Sequence, residues 1–153
     1  MAGTYSQIYL QFVFAVKYRH SLISSDWEEE LYKYITGIVT NRGHKLITIN
    51  GMPDHIHLLV GFKPVESPSD LVREIKKSTN QYITTNKFCS AKFEWQNGYG
   101  VFSYHQSMLP VIAGYIENQK RHHARKSFRE EYQEFLKAFQ ISFEEQYLFD
   151  WID

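Results

Sequence analysis

Cysteine is almost absent: Cys89 is the only one among 153 residues, which excludes an internal disulfide and any cysteine-rich zinc site. Four prolines and eight glycines supply no proline-rich linker or glycine-rich tract, and no repeat or low-complexity segment interrupts the chain. Long hydrophobic runs are missing too. The longest apolar stretches, residues 8–16 and 56–62, are of strand length and broken by polar side chains, so neither could span a bilayer. The chain does not start with a charged segment followed by an apolar one, the pattern of a secretory signal. The expectation is a cytoplasmic protein. Net charge is also lacking, with 17 basic and 17 acidic side chains, which argues at first sight against a polyanionic partner.

What is present is a globular composition, 43% hydrophobic, in a length suited to one domain with a sizeable core. The charges are not evenly spread. Residues 130–153 carry seven acidic side chains against Lys137 alone, while residues 1–129 hold 16 basic and 10 acidic ones. The body is therefore basic, as a phosphate-binding surface requires. Residues 130–153 form an acidic tail, packed on the same domain or extending it. Aromatic residues are abundant (11 Tyr, 11 Phe, 3 Trp), as a well-filled core needs and base stacking allows.

Residues 5–16 alternate apolar Ile8, Leu10, Phe12 and Phe14 with less apolar neighbours, the period of a strand. Ser24 and Ser25 ahead of three consecutive glutamates predict a capped helix whose apolar face holds Leu31, Ile35, Ile38 and Val39 and which stops near Gly43. Residues 45–50 and 55–62 read as strands joined by a turn-like 51–54 stretch. Ser67-Pro68-Ser69-Asp70 caps a second helix reaching about residue 86. A short strand pair is expected at 93–95 and 101–103, around the glycine turn 97–100. A third helix is expected over about 107–125, and a further one over 128–139. The order β-α-β-β-α-β followed by a helix predicts an α+β ferredoxin-like sandwich, an antiparallel sheet with helices on one face. That fold hosts many chemistries and decides none of them.

Two groupings could carry chemistry. His55 and His57 alternate on a strand, so both imidazoles leave the same face about 7 Å apart at the backbone and can converge on one divalent ion. Ile56 faces the other way, with Leu58 and Val60. Short H-x-H patterns also occur as ordinary polar pairs on half-exposed strands. Tyr115 and Gln119, four residues apart on the predicted helix, lie one turn apart on one face, although most of eleven tyrosines in any such chain are structural. A free phenol, with a pKa near 10, is a poor nucleophile at neutral pH, but becomes useful against a phosphate whose charge a metal neutralises. Two imidazoles and an amide oxygen leave open positions for phosphate and water, an arrangement compatible with Mg²⁺ or Mn²⁺. Lys120, Arg121, His122, His123, Arg125, Lys126 and Arg129 follow directly. They could grip a DNA backbone, or simply complement the negative end of a helix.

Pro53-Asp54-His55-Ile56-His57-Leu58-Leu59-Val60 resembles the HUH segment of the small single-tyrosine, IS200-like insertion-sequence transposases, which include the REP-associated tyrosine transposases. The stretch from Trp95 to Ser103 resembles that family's W-Q-x-G-Y-G-x-F-S pattern, and Tyr115-Ile116-Glu117-Asn118-Gln119 with His122-His123 resembles its nucleophile helix. Three separated motifs in order, spanning nearly the whole chain, are far more specific than any one alone. The resemblance implies a ferredoxin-like fold and a transposase that cleaves and rejoins single-stranded DNA through a 5′-phosphotyrosine. It implies Tyr115 as nucleophile, with His55, His57 and Gln119 holding Mg²⁺ or Mn²⁺. It also implies single-stranded DNA with hairpin ends as partner and a homodimer, although REP-associated members can work as monomers.

Two other functions compete. A non-catalytic single-stranded nucleic-acid-binding module would use the basic and aromatic side chains without cutting. A metal-dependent phosphohydrolase would need more carboxylate ligands than Asp54, the one acid adjacent to the histidine pair.

Overall fold

The computed structural model describes residues 3–152. Four strands, β1 (Tyr9–Ala15), β2 (Lys45–Met52), β3 (His55–Gly61) and β4 (Gly100–Tyr104), form one antiparallel sheet in the order β2-β3-β1-β4. Helix α1 (Glu28–Asn41) connects β1 to β2, and α2 (Pro68–Thr85) connects β3 to β4. This is the βαββαβ ferredoxin-like arrangement that the sequence order implies. After β4 come α3 (Leu109–Glu117), the single turn α4 (Gln119–His122) and α5 (Phe128–Ala138). None of the helices among the described residues is long and apolar enough to cross a membrane.

The period-two alternation of the strands divides the core. Leu10, Phe12 and Phe14 of β1 and Ile56, Leu58 and Val60 of β3 pack against Leu31 and Ile35 of α1 and Leu71 and Ile75 of α2. Val13, Ala15, Phe102 and Leu59 leave the opposite face. Helices were expected on one face, with a further C-terminal helix, and the apolar second face has to be covered as well. Phe128, Tyr132 and Leu136 of α5 cover one part of it, and Ile112 and Ile116 of α3 another. β3 is consequently buried on both faces, not half-exposed.

Local signals account for most boundaries. Ser67 Oγ accepts from Asp70 N at 3.1 Å and Pro68 opens α2, a cap satisfying an otherwise orphaned helix donor. Ser24 accepts from Asp26 N, but α1 itself starts at Glu28 behind Trp27, whose side chain does not cap it. Gly51 sits where β2 meets β3, and a Cβ there would lie 2.2 Å from the His55 carbonyl oxygen. Only glycine permits that approach.

Two further expectations differ from the structure. Residues 93–95 do not pair with 101–103: Trp95 forms an isolated antiparallel bridge with Val16, and β1 is the strand that pairs with β4. The 93–99 segment is thereby tied to the end of β1, leaving β4 short. The 107–125 helix is not continuous either. A 3-10 turn (Gln106–Met108) precedes α3, and α3 stops at Asn118. At the break, the Asn118 side chain and backbone N–H both donate to Gly114 O, at 2.9 and 3.1 Å.

Candidate metal centre and nucleophile

His55 and His57 leave the α3/α5 side of β3 and are fully buried. Each ring is held from behind. Asp54 Oδ1 lies 2.7 Å from His55 Nδ1, and Phe128 stacks on the His55 ring with centroids 3.8 Å apart. Gln11 Nε2 lies 2.9 Å from His57 Nδ1, and Tyr104 Oη donates to Gln11 Oε1 at 2.8 Å. Asp54 accepts from His55 Nδ1, the usual outer support of a metal-ligating histidine, whereas Gln11 donates its amide N–H to His57 Nδ1; both contacts fix ring orientation and leave the Nε2 atoms aimed inward.

What they aim at is Glu131. This α5 carboxylate is 2% exposed, and its Oε1 lies 3.0 Å from His57 Nε2, 3.0 Å from His123 Nε2 and 3.2 Å from His55 Nε2. Its Oε2 accepts from Gln119 Nε2 at 2.9 Å and from the Tyr115 hydroxyl. Gln119 Oε1 in turn lies 3.2 Å from His55 Nε2. One ligand atom from each of His55, His57, His123 and Glu131 falls within 4.8 Å of the other three. Three imidazole nitrogens and a carboxylate oxygen converging in a buried space are a donor set that a divalent transition metal accepts.

Burial opposes ionisation of Glu131, but the surrounding imidazoles outweigh it and hold the carboxyl far below the usual range. Burial likewise lowers His57. It also opposes the charged form of His55, but hydrogen bonds to Asp54 and Glu131 outweigh it and raise that group. Burial first, and Glu131 second, push the Tyr115 phenol well above its normal range. The centre therefore places an anion in the middle, with His55 pushed toward its charged form, His57 toward its neutral form, and a protonated phenol at the edge.

The sequence of residues 4–119 matches the model of the family described as "Transposase IS200 like". The chain belongs to the IS200-like transposase family. It is 25% identical over 122 residues to the ISDra2 transposase TnpA of Deinococcus radiodurans, an alignment covering 76% of this chain and 87% of that one. Its fold is similar to that of a crystallised candidate transposase from D. radiodurans R1, with a TM-score of 0.60 and 25% identity over 78% of this chain and 95% of the other. It is also similar in fold to a REP-associated tyrosine transposase solved bound to a REP hairpin (TM-score 0.59, 17% identity, 80% and 73% covered).

In this transposase the residues singled out in sequence are brought together within one chain. His55, His57, Gln119 and Tyr115 all touch one another or Glu131, even though the break at Asn118 separates Tyr115 on α3 from Gln119 on α4. The cationic run divides. His123 turns inward to Glu131, and His122 packs its ring edge against Tyr115 at 4.9 Å. Lys120 is tied to the fold, donating to Gly51 O at 2.8 Å and pairing with Glu28. Arg121 and Arg125 remain exposed and, with Asn118, His122 and Lys126, line a cleft of about 440 Å³ beside the phenol.

Sequence reasoning missed Glu131, the ligand geometry of His123 and the support from Gln11. Glu131 did leave a signal. Phe128, Tyr132, Phe135 and Leu136 mark the inward face of an amphipathic helix, and Glu131 falls on that face at helical spacing. An acid at a core position is rarely left without a partner.

Proposed function

We propose that this transposase cleaves and rejoins single-stranded DNA through Tyr115, at a divalent-cation site built from His55, His57, Glu131 and the flanking His123 and Gln119. The observation carrying this reading is that the phenol of Tyr115 and the Nε2 atoms of both strand histidines meet on a single carboxylate, Glu131. The nucleophile and the cation site are thus adjacent without help from a second chain. The cation is Mg²⁺ or Mn²⁺, and the imidazole-rich donor set suits Mn²⁺ better.

The chain's own groups divide the work. Arg121 and Arg125, in the cleft that His122 joins to the Tyr115 ring, attract the backbone of the incoming strand, while Lys126 is paired with Glu134 at 2.6 Å. Asp54 and Gln11 hold the two imidazoles rigid, so the ligand geometry is set before substrate arrives. A bound divalent cation supplies Lewis-acid charge to the scissile phosphate. Tyr115 Oη forms the new bond to the 5′-phosphorus as the bond to the 3′-oxygen breaks. The phenolic proton ends on that oxygen, giving a 5′-phosphotyrosine and a free 3′-hydroxyl. Rejoining is the reverse: a 3′-hydroxyl attacks the phosphotyrosine and Tyr115 recovers its proton, with no nucleotide cofactor consumed. The similarity to a protein bound to a REP hairpin makes hairpin-bearing single strands the proposed partner. The homodimer that the resemblance implies is not needed to complete this site.

A denaturing gel with end-labelled single-stranded DNA tests the reading. Wild-type protein with Mn²⁺ should give a protein-linked band, and Tyr115→Phe should give none while still binding the strand. A band surviving Tyr115→Phe would identify a different nucleophile. Free 5′-phosphate ends without linked protein would favour water as the attacking group.

A further inference from the structure

Away from the Glu131 centre, a cleft of about 480 Å³ lies between α2 and the 94–99 segment. Its floor is built from one stripe of α2. Ser69, Arg73, Lys76, Lys77 and Asn80 recur at three- and four-residue spacing, the neighbours on one helical face. Opposite them stand Trp95, Tyr99 and the backbone of Gln96, Asn97 and Gly98. Gly98 takes φ +86, a left-handed conformation that lets the chain reverse tightly there. Tyr99 is pinned to the rim of α2 by a 2.5 Å hydrogen bond with Ser69.

The cleft carries three cations, Arg73, Lys76 and Lys77, against one carboxylate, Glu94, which pairs with Lys17 at 3.7 Å. Lys76 is partly buried and donates to Gln96 O at 2.8 Å and Gly98 O at 2.7 Å, both uncharged acceptors, with its ammonium 5.9 Å from the Phe14 ring. Burial lowers its pKa to about 8. Among the described residues no carboxylate pairs with Lys76 or with Lys77, whereas the neighbouring Arg73 pairs with Asp70. Two ammonium groups thus stand beside aromatic rings and two carboxamides, Asn80 and Asn97, in a concave site. Cations to hold a phosphate, a ring for a base to stack on and amides for its edge are the elements of single-strand recognition. A duplex presents mainly its backbone, and its bases could not enter a cleft this narrow.

The cleft lies on the α2 side of the sheet and the cation site on the α3/α5 side, and a chain of hydrogen bonds links them. Gln96 donates from its backbone to Ala15 O at 2.8 Å and from its side chain to Val16 O at 2.9 Å. Val16 N donates to Asp54 O at 3.0 Å, and Asp54 is the residue that orients His55. Gln96 also holds Asp150, donating to Asp150 O at 2.7 Å and accepting from Asp150 N at 2.6 Å, so a strand running from the histidines to Lys76 would pass this junction to cross from one face of the sheet to the other.

We propose that this cleft is a nucleotide subsite for the single-stranded DNA flanking the cut, with Lys76 and Lys77 on phosphate and Tyr99 against a base. The proposal rests on the reading of the protein as a single-strand DNA transposase. The subsite supplies affinity and register to a reaction that Tyr115 performs elsewhere.

Fluorescence anisotropy with a labelled single-stranded oligonucleotide, in EDTA so that no cleavage occurs, tests it. The variant Lys76→Met with Lys77→Ala removes both charges while keeping the Lys76 stem over Phe14. It should bind about tenfold more weakly at moderate salt. The slope of log affinity against log salt should fall by about 1.4, roughly 0.7 for each phosphate of a single strand that is no longer neutralised. Lys77→Ala alone, at an exposed position, should show about half the change in slope and serves if the double variant is unstable. An oligonucleotide carrying a photoreactive pyrimidine should crosslink to Tyr99 or Trp95. Unchanged affinity and slope in both variants, or crosslinks confined to other surfaces, would overturn the proposal. If those variants bind normally while wild-type protein forms the tyrosine-linked band, the subsite falls and the enzyme reading stands. If wild-type protein binds DNA through Lys76 and Lys77 but never becomes linked to it, the enzyme reading falls and the subsite stands. A wild-type protein that binds no single strand overturns both.

Discussion

Replacing Glu131 with alanine removes the one group that every member of the candidate centre touches. The side chain is 2% exposed and accepts from Gln119 Nε2 and the Tyr115 hydroxyl while facing three imidazoles. Without it, those donors lose their acceptor in a place water reaches poorly, and the positive charge favoured on His55 keeps only Asp54 as its partner. Breaking a buried charge cluster in this way costs roughly 3–5 kcal/mol. In a chain of this size each kcal/mol lowers the melting temperature by roughly 2–4 °C, so Glu131→Ala should melt about 6–20 °C below wild type in EDTA. Differential scanning fluorimetry reads this directly, and Mn²⁺ provides the second arm. For the wild type, Mn²⁺ at a hundred times its dissociation constant adds about 2.7 kcal/mol, a rise of roughly 5–10 °C. Glu131→Gln, which keeps the volume but not the charge, should lose most of that rise. If Glu131→Ala melts within 2 °C of wild type, a margin below the roughly 6 °C minimum expected above, the carboxylate is not holding the centre together. Should Mn²⁺ raise Glu131→Gln as much as wild type, it is not a ligand.

Gln11→Leu should weaken Mn²⁺ binding, followed by its electron paramagnetic resonance signal, about 10–100-fold by freeing the His57 ring; undiminished binding would show that Gln11 does not orient it. Gly51→Ala should destabilise the fold by roughly 3 kcal/mol or more in chemical denaturation, since a Cβ 2.2 Å from the His55 carbonyl has only backbone to push against. Burial raises Tyr132 to about 12 from a normal value near 10, so the unfolded chain loses that proton first. Stability from this group is complete below pH 10 and declines as pH rises from 10 to 12, by about 2.7 kcal/mol in all. Denaturation midpoints across that range should fall less in Tyr132→Phe than in wild type.

Much of this architecture can be read in the residues. The alternation in β1 and β3, the Ser67–Pro68 cap and the glutamates opening α1 are local patterns, and local patterns survive into the fold. The common face of His55 and His57 was legible for the same reason. Choices made over long range were not. Trp95 pairs with Val16, 79 positions away in sequence, and nothing near residue 95 announces that partner. The interruption at Asn118, where side chain and backbone both donate to Gly114 O, is not one that propensity alone decides. Glu131 sits in a segment whose charge suggests a solvated tail, and only the docking of α5 on the second face of the sheet turns that acid inward.

The alternation of β3 has a further consequence for how the chain can vary. Each residue of that strand belongs to one of two layers, so sliding it by a single position exchanges the layers wholesale. Ile56 and Leu58 would then confront Glu131, and the imidazoles would be driven between the helices of the opposite layer. The number of residues in the short reversal ahead of His55 is therefore under as tight a constraint as the histidines themselves. A deletion there should abolish activity as completely as losing a ligand, though every chemical group remains in the chain.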